Sequence, residues 1–213
     1  MPIETRPCEL TTGDGLRLPG DVANAERAEV ALAVVVCHPH PLYGGSRFTP
    51  VVETVFRRAG ELGLGAVRFD FRGVGDAEGE HGGGVDERLD VIAAIDLAAA
   101  TWPDAAVVLA GWSFGAEVAL TIDDHRHVGW FGVAPQFRPP APCVAAADPR
   151  PLLALVPAHD QFAPPPVAAE RTEGWATTEL VTVEGADHSL LGHQARVADE
   201  FERFVGSLAG DDA

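Results

Sequence analysis

Apolar residues along this chain fall into two kinds of run. Some are short and unbroken; others recur every three or four positions. Ala31 to Cys37 is continuous and closes on His38-Pro39, the pattern of a strand buried on both faces. From Thr49 to Leu62, the residues Val51, Val52, Val55, Phe56, Ala59 and Leu62 line one side of a helix that Gly63 stops. The pairing then repeats. Strand Ala66 to Phe71 leads through a glycine-rich loop, Arg72 to Gly84, into a helix from Val85 to Ala100. Strand Ala105 to Ala110 ends at Gly111 and precedes a helix from Phe114 to Ile122. Strand Gly129 to Ala134, a proline-rich passage Pro135 to Pro151 and strand Leu152 to Val156 follow. A short helix near Val167 to Glu170, strand Thr178 to Val183 and a final helix Ala195 to Leu208 complete the series. Ahead of all of these, Gly13-Asp14-Gly15 turns between two short, weakly alternating strands. Strands alternating with helices predict a parallel sheet covered on both faces, with its chemistry at the carboxyl ends of the strands.

Composition narrows this picture. The 213 residues suit a single domain, 1–213, and 46% apolar with 22% charged residues is a globular balance. The net charge of −17 repels phosphate backbones and anionic lipid, so neither nucleic acid nor a membrane is expected as partner. No apolar stretch is long enough to span a bilayer, and the first residues lack the pattern of a secretion signal, so a cytoplasmic location is expected. Every one of the 15 basic residues is arginine. Without lysine there is no Schiff-base chemistry, no pyridoxal phosphate attachment and no P-loop. Cys8, Cys37 and Cys143 are widely spaced and form no metal or redox motif. The expectation is of no cofactor and no metal.

Four strand ends carry polar or glycine-rich clusters: His38-Pro39-His40-Pro41, Gly111-Trp112-Ser113-Phe114-Gly115, His159-Asp160 and Asp187-His188. The second is G-x-S-x-G between a predicted strand and a predicted helix. A nucleophile on so sharp a turn sits in strained backbone space, and glycines two residues to either side relieve the crowding. Serine needs a base, and the base needs a carboxylate to orient it. His188 and Asp160 follow two separate strands downstream, giving the chain order Ser113, Asp160, His188. His193 begins the last helix, Asp187 adjoins His188, His159 reads as a loop residue and His81 has no supporting pattern, so each ranks behind. One oxyanion donor is the N–H of Phe114. A second is expected from the loop after the first long strand, where His40 can donate but Pro39 and Pro41 cannot, with Leu42 and Tyr43 as alternatives. His38 and His40 lack a third ligand at metal spacing.

The motifs His38-Pro39-His40-Pro41-Leu42-Tyr43-Gly44-Gly45, Arg68-Phe69-Asp70-Phe71-Arg72-Gly73-Val74-Gly75 with Gly79, Gly111-Trp112-Ser113-Phe114-Gly115 and Gly185-Ala186-Asp187-His188 together resemble a family of compact bacterial α/β-hydrolases, related to dienelactone hydrolase-like and short esterase proteins. The resemblance runs from about Val34 to Phe204. It implies the α/β-hydrolase fold, a mostly parallel central sheet with helices on both faces, a hydrolase activity and the triad Ser113, Asp160, His188. Two departures stand out. The family's serine after the Arg-Gly-x-Gly turn is replaced in Gly75-Asp76-Ala77-Glu78-Gly79, and its Gly-Asp-x-Asp segment reads Ala158-His159-Asp160-Gln161 here. The serine nucleophile also separates this chain from the cysteine-dependent dienelactone reaction.

Lids in this family enter after the strand ending near Ala134, and the short passage to Leu152 leaves room for little or no lid. An open pocket bounded by Tyr43, Trp112, Phe114, Phe137 and Phe162 is expected, suited to a small ester or thioester. The rival readings are a thioesterase or peptidase with the same triad, and an inactive binding protein that keeps the fold.

Overall fold

The computed structural model describes residues 3–24, 26 and 29–208. Thirteen regular elements follow one another, with one 3₁₀ turn among them. They are β1 (Thr5–Thr11), β2 (Arg17–Ala23), β3 (Leu32–Cys37), the 3₁₀ turn Pro41–Tyr43, α1 (Pro50–Glu61), β4 (Gly65–Phe69) and α2 (Glu87–Thr101), then β5 (Ala106–Trp112), α3 (Phe114–Ala119), β6 (His127–Val133), β7 (Leu152–Pro157), α4 (Pro165–Arg171), β8 (Thr178–Val183) and α5 (Gln194–Leu208). The strands form one eight-stranded sheet in the order β1-β2-β4-β3-β5-β6-β7-β8. β1 and β2 form the antiparallel hairpin expected around Gly13-Asp14-Gly15, β2 joins β4 antiparallel, and every later pairing is parallel.

Strand β3 shows why the sheet needs two covers. All six of its residues are buried, and successive side chains point to opposite faces. Ala33, Val35 and Cys37 pack with Val91, Ile95 and Ala98 of α2 and with Val118 of α3. Leu32, Val34 and Val36 pack with Val52, Val55 and Phe56 of α1 and with Val197, Phe201 and Phe204 of α5. The unbroken hydrophobicity of the central strands follows from this double cover. Edge strand β8 has only Val183 fully buried.

Several boundaries move for local reasons. The strand expected to reach Phe71 ends at Phe69, because the N–H of Asp70 turns to Pro19 O and that of Phe71 to the ring of His38. α2 starts at Glu87 rather than Val85, since the Glu87 carboxylate accepts the N–H groups of Gly82 and Gly84 and ties the preceding loop down. β5 runs on to Trp112, where it still pairs with Val133. α3 is shorter than expected and ends at Ala119. Between β6 and β7, residues 134–151 hold no helix or strand. Among the described residues no helix is long and apolar enough to cross a membrane.

Candidate active site

The turn from β5 into α3 is as tight as its glycines suggest. A Cβ on Gly111 would lie 2.5 Å from Ala116 N, and one on Gly115 would lie 2.4 Å from Cys37 O. Neither position admits a side chain. Between them Ser113 has φ +52° and ψ −116°, a conformation that costs a non-glycine residue about 1–3 kcal/mol. The Ser113 N–H donates to Val133 O at 2.8 Å, which pins the strained residue to β6.

Two loops from the far half of the sheet meet this serine. Ser113 Oγ donates to His188 Nε2 at 2.8 Å, and His188 Nδ1 donates to Asp160 Oδ2 at 2.7 Å. Asp160 follows β7 and is buried; its Oδ1 accepts N–H bonds from Phe162 at 2.7 Å and Ala163 at 3.3 Å. Burial alone would raise the Asp160 pKa, but the hydrogen bonds from His188 and Phe162 outweigh it and hold the carboxyl below its ordinary value. His188 follows β8. The Trp112 indole N–H donates to its carbonyl at 3.2 Å, and the Phe162 ring meets its imidazole edge-on at 4.8 Å between centroids. Three separate strand ends thus deliver one continuous line of hydrogen bonds.

The oxyanion candidates separate by what their N–H groups already do. Leu42 N–H donates to His40 Nδ1 and Tyr43 N–H to His40 O. The N–H groups of His40 and Phe114 have no partner among the described residues.

A cavity of about 650 Å³ opens over Ser113. Of the expected aromatic wall, Tyr43, Trp112, Phe114 and Phe162 line it, with Tyr43 86% exposed at the rim. Phe137 does not line it. Its φ of +55° turns the ring inward against Trp175, with centroids 5.6 Å apart, and leaves the neighbours Gln136 and Arg138 facing the cavity. The sequence of this irregular passage carries no sign of the left-handed residue that turns the ring away.

Other motif residues serve the scaffold. His38 is fully buried, with Nδ1 donating to Pro39 O at 2.6 Å and Nε2 accepting from Phe71 N–H at 3.0 Å. Burial drives its pKa down to about 4, so it is neutral at ordinary pH. Arg68 binds Asp21, Asp70 binds Arg47, and Arg72 binds the buried Asp90. Among the described residues no group of three potential ligands could hold a metal.

Two acidic residues escaped the sequence reading. Glu87 is buried and lies 2.6 Å from Nδ1 of His81, whose imidazole lines the cavity. Glu117, one turn beyond Ser113 on α3, is buried and accepts N–H bonds from Phe137 at 2.7 Å and Arg138 at 2.6 Å. Burial pushes its pKa up despite those bonds. The available signal was a lone charge inside the apolar helix sequence Phe114-Gly115-Ala116-Glu117-Val118-Ala119.

The sheet order, the strained serine between β5 and α3 and the uncovered strand ends define an α/β-hydrolase fold. Comparison with solved structures agrees. An α/β serine hydrolase homologue from Coxiella burnetii is 27% identical, with a TM-score of 0.83, covering 93% of this chain and 96% of that one. A serine hydrolase without a lid from Xanthomonas campestris is 26% identical, with a TM-score of 0.82 and coverage of 98% and 96%. An esterase from Pyrococcus furiosus shares the fold at 19% identity, with a TM-score of 0.76 and coverage of 94% and 92%. An uncharacterised protein of Rickettsia prowazekii is 36% identical over 107 residues, which are 50% of this chain but 44% of that protein, so the match spans less than half of the relative's length. No family model matches the chain. The chain has the α/β-hydrolase fold and is similar in structure to serine hydrolases and esterases; among the described residues, the passage between β6 and β7 holds no helix or strand.

Proposed function

We propose that this protein hydrolyses small carboxylic esters through an acyl-enzyme on Ser113. The observation that carries the reading is the unbroken relay from Ser113 Oγ through His188 to Asp160, at 2.8 and 2.7 Å. His188 Nε2 takes the hydroxyl proton as Ser113 Oγ attacks the ester carbonyl. The N–H groups of Phe114 and His40 stabilise the oxyanion, and the helix α3 that begins at Phe114 directs its free N–H groups the same way. His188 then gives its proton to the leaving alcohol. Water, deprotonated by the same imidazole, releases the acid and restores the serine. Asp160 fixes the Nδ1–H tautomer of His188 and stabilises the imidazolium formed in each half of the cycle.

Two further readings accompany this one. The chain acts as one domain, a view supported by the single sheet with one helical cover on each face. It works in a reducing compartment, supported by three cysteines that remain unpaired.

A fluorophosphonate probe followed by peptide mass spectrometry tests the proposal. Labelling at Ser113, absent in Ser113→Ala, is the expected result; an unlabelled protein would point to a binding module. A panel of p-nitrophenyl esters, acyl thioesters and aminoacyl anilides then identifies the bond. Faster turnover of thioesters or anilides than of esters would displace the ester assignment.

A further inference from the structure

Arginine is the only permanently cationic side chain here, and acidic residues outnumber it 32 to 15. Partners are therefore abundant, and almost every described arginine has one. Thirteen of the described arginines are engaged: eleven make ion pairs, and Arg88 donates to Thr121 O and Arg171 to Gln136 O in place of a carboxylate. Arg138 is the exception: among the described residues its guanidinium holds neither a carboxylate nor a carbonyl. It also lines the cavity over Ser113.

Its placement is built. Phe137 occupies a left-handed conformation, φ +55°, which turns two successive N–H groups, those of Phe137 and Arg138, toward one point. Successive amides arranged this way make an anion-binding concavity. Here the anion comes from the chain itself: Glu117 offers one carboxylate oxygen to each N–H, at 2.7 and 2.6 Å. Arg171 of α4 clamps the same loop by donating to Gln136 O at 2.6 Å. The backbone that carries Arg138 is thus fixed at two consecutive residues, while the guanidinium is left free.

Neither acid that lines the cavity pairs with Arg138. Both oxygens of Glu117 accept backbone N–H groups, and Asp187 Oδ1 accepts the N–H and the hydroxyl of Ser189. A cation without an internal partner among the described residues, held on the wall of the cavity over Ser113, forms a local site for an anion on a chain of net charge −17.

We propose that Arg138, positioned by the Glu117 carboxylate, binds a carboxylate carried by the substrate, so that the preferred substrates are esters bearing an anionic group several bonds from the scissile carbonyl. This rests on the ester-hydrolase reading of Ser113 and names its substrate class. Arg138 is the specificity-determining contact, and Glu117 acts through it as a positioning residue.

A matched pair of substrates tests this: p-nitrophenyl hexanoate and mono-p-nitrophenyl adipate, which differ by a terminal carboxylate, each corrected for spontaneous hydrolysis. Wild-type protein is expected to favour the adipate in kcat/KM by about tenfold at 50 mM NaCl, with the preference shrinking at 0.5 M as the charge contact is screened. Arg138→Gln should lower the adipate-to-hexanoate ratio at least fivefold, mainly through KM for the adipate. Glu117→Gln should lower the ratio in the same direction, since the amide puts an NH₂ donor where one of the two carboxylate oxygens had accepted an N–H. An unfolded Glu117→Gln protein leaves Arg138→Gln to decide the matter. A wild-type preference for the hexanoate, or a ratio unchanged in Arg138→Gln, overturns the proposal. Failure of the underlying reading looks different: Ser113→Ala would then turn over both esters as fast as wild type.

Discussion

Replacing Asp160 by asparagine keeps the shape of the site and reverses one hydrogen bond. In the native arrangement Asp160 Oδ1 accepts the amides of Phe162 and Ala163, and Oδ2 accepts from His188 Nδ1. The two amides dictate how an asparagine side chain must sit. Its carbonyl oxygen takes the Oδ1 place, because an NH₂ group there would face two donors. The NH₂ group therefore faces His188 Nδ1 and selects the tautomer protonated on Nε2, the nitrogen 2.8 Å from Ser113 Oγ. That nitrogen can no longer accept the serine proton. The wrong tautomer in a triad of this geometry costs about four orders of magnitude in turnover, about 5.4 kcal/mol at 1.36 kcal/mol per decade. The assay is kcat/KM for p-nitrophenyl acetate at pH 7.5, with circular dichroism to show that the variant folds. A folded Asp160→Asn protein within tenfold of wild type would refute the claim that this carboxylate orients the imidazole.

Three other outcomes follow from the same coordinates. Ser113→Gly should abolish turnover yet raise unfolding free energy by about 1 kcal/mol in urea, because glycine accepts φ +52° without strain; equal or lower stability would argue against strain at the elbow. Acid should destabilise the fold through two histidines that burial holds at a pKa of about 4, His38 and His127. Their folded pKa lies below the unfolded value, so the unfolded chain binds protons first: stability is full above about pH 6.5 and falls toward pH 4, by about 3 kcal/mol for each residue. Urea midpoints measured from pH 7.5 to 4.5 check this, and a flat profile would contradict it. Asp90→Ala should cost about 3–5 kcal/mol in denaturant titrations, since Arg72 would keep a buried charge with only the more exposed Asp14 beside it; a loss under 1 kcal/mol would show that the pair contributes little.

Much of the architecture was legible because its signals are local. Unbroken runs such as Ala33 to Cys37 mark strands buried on both faces, and Gly111 and Gly115 mark a turn with no room for Cβ. The residues Ser113, Asp160 and His188 could be singled out because each follows a strand, and parallel strands release their loops at the same edge. What escaped depends on backbone geometry that no periodicity encodes. Phe137 was expected in the pocket, and its positive φ sends the ring to Trp175 instead. Glu117 and Glu87 looked like ordinary helix charges, since their partners are amides of distant or irregular loops: Phe137 and Arg138 for one, Gly82 and Gly84 for the other. The polar residues of the Arg68 to Arg72 motif entered only as part of the family resemblance, and their role is internal, since each is held in an ion pair.

The bare passage from 134 to 151 has a kinetic meaning. With only irregular chain bordering the cavity there, an acyl group on Ser113 would lie within reach of solvent from the moment it formed. Solvent at that density outcompetes dilute alcohols or amines for the carbonyl. Under the proposed mechanism the intermediate would therefore break down with water rather than pass its acyl group to another acceptor.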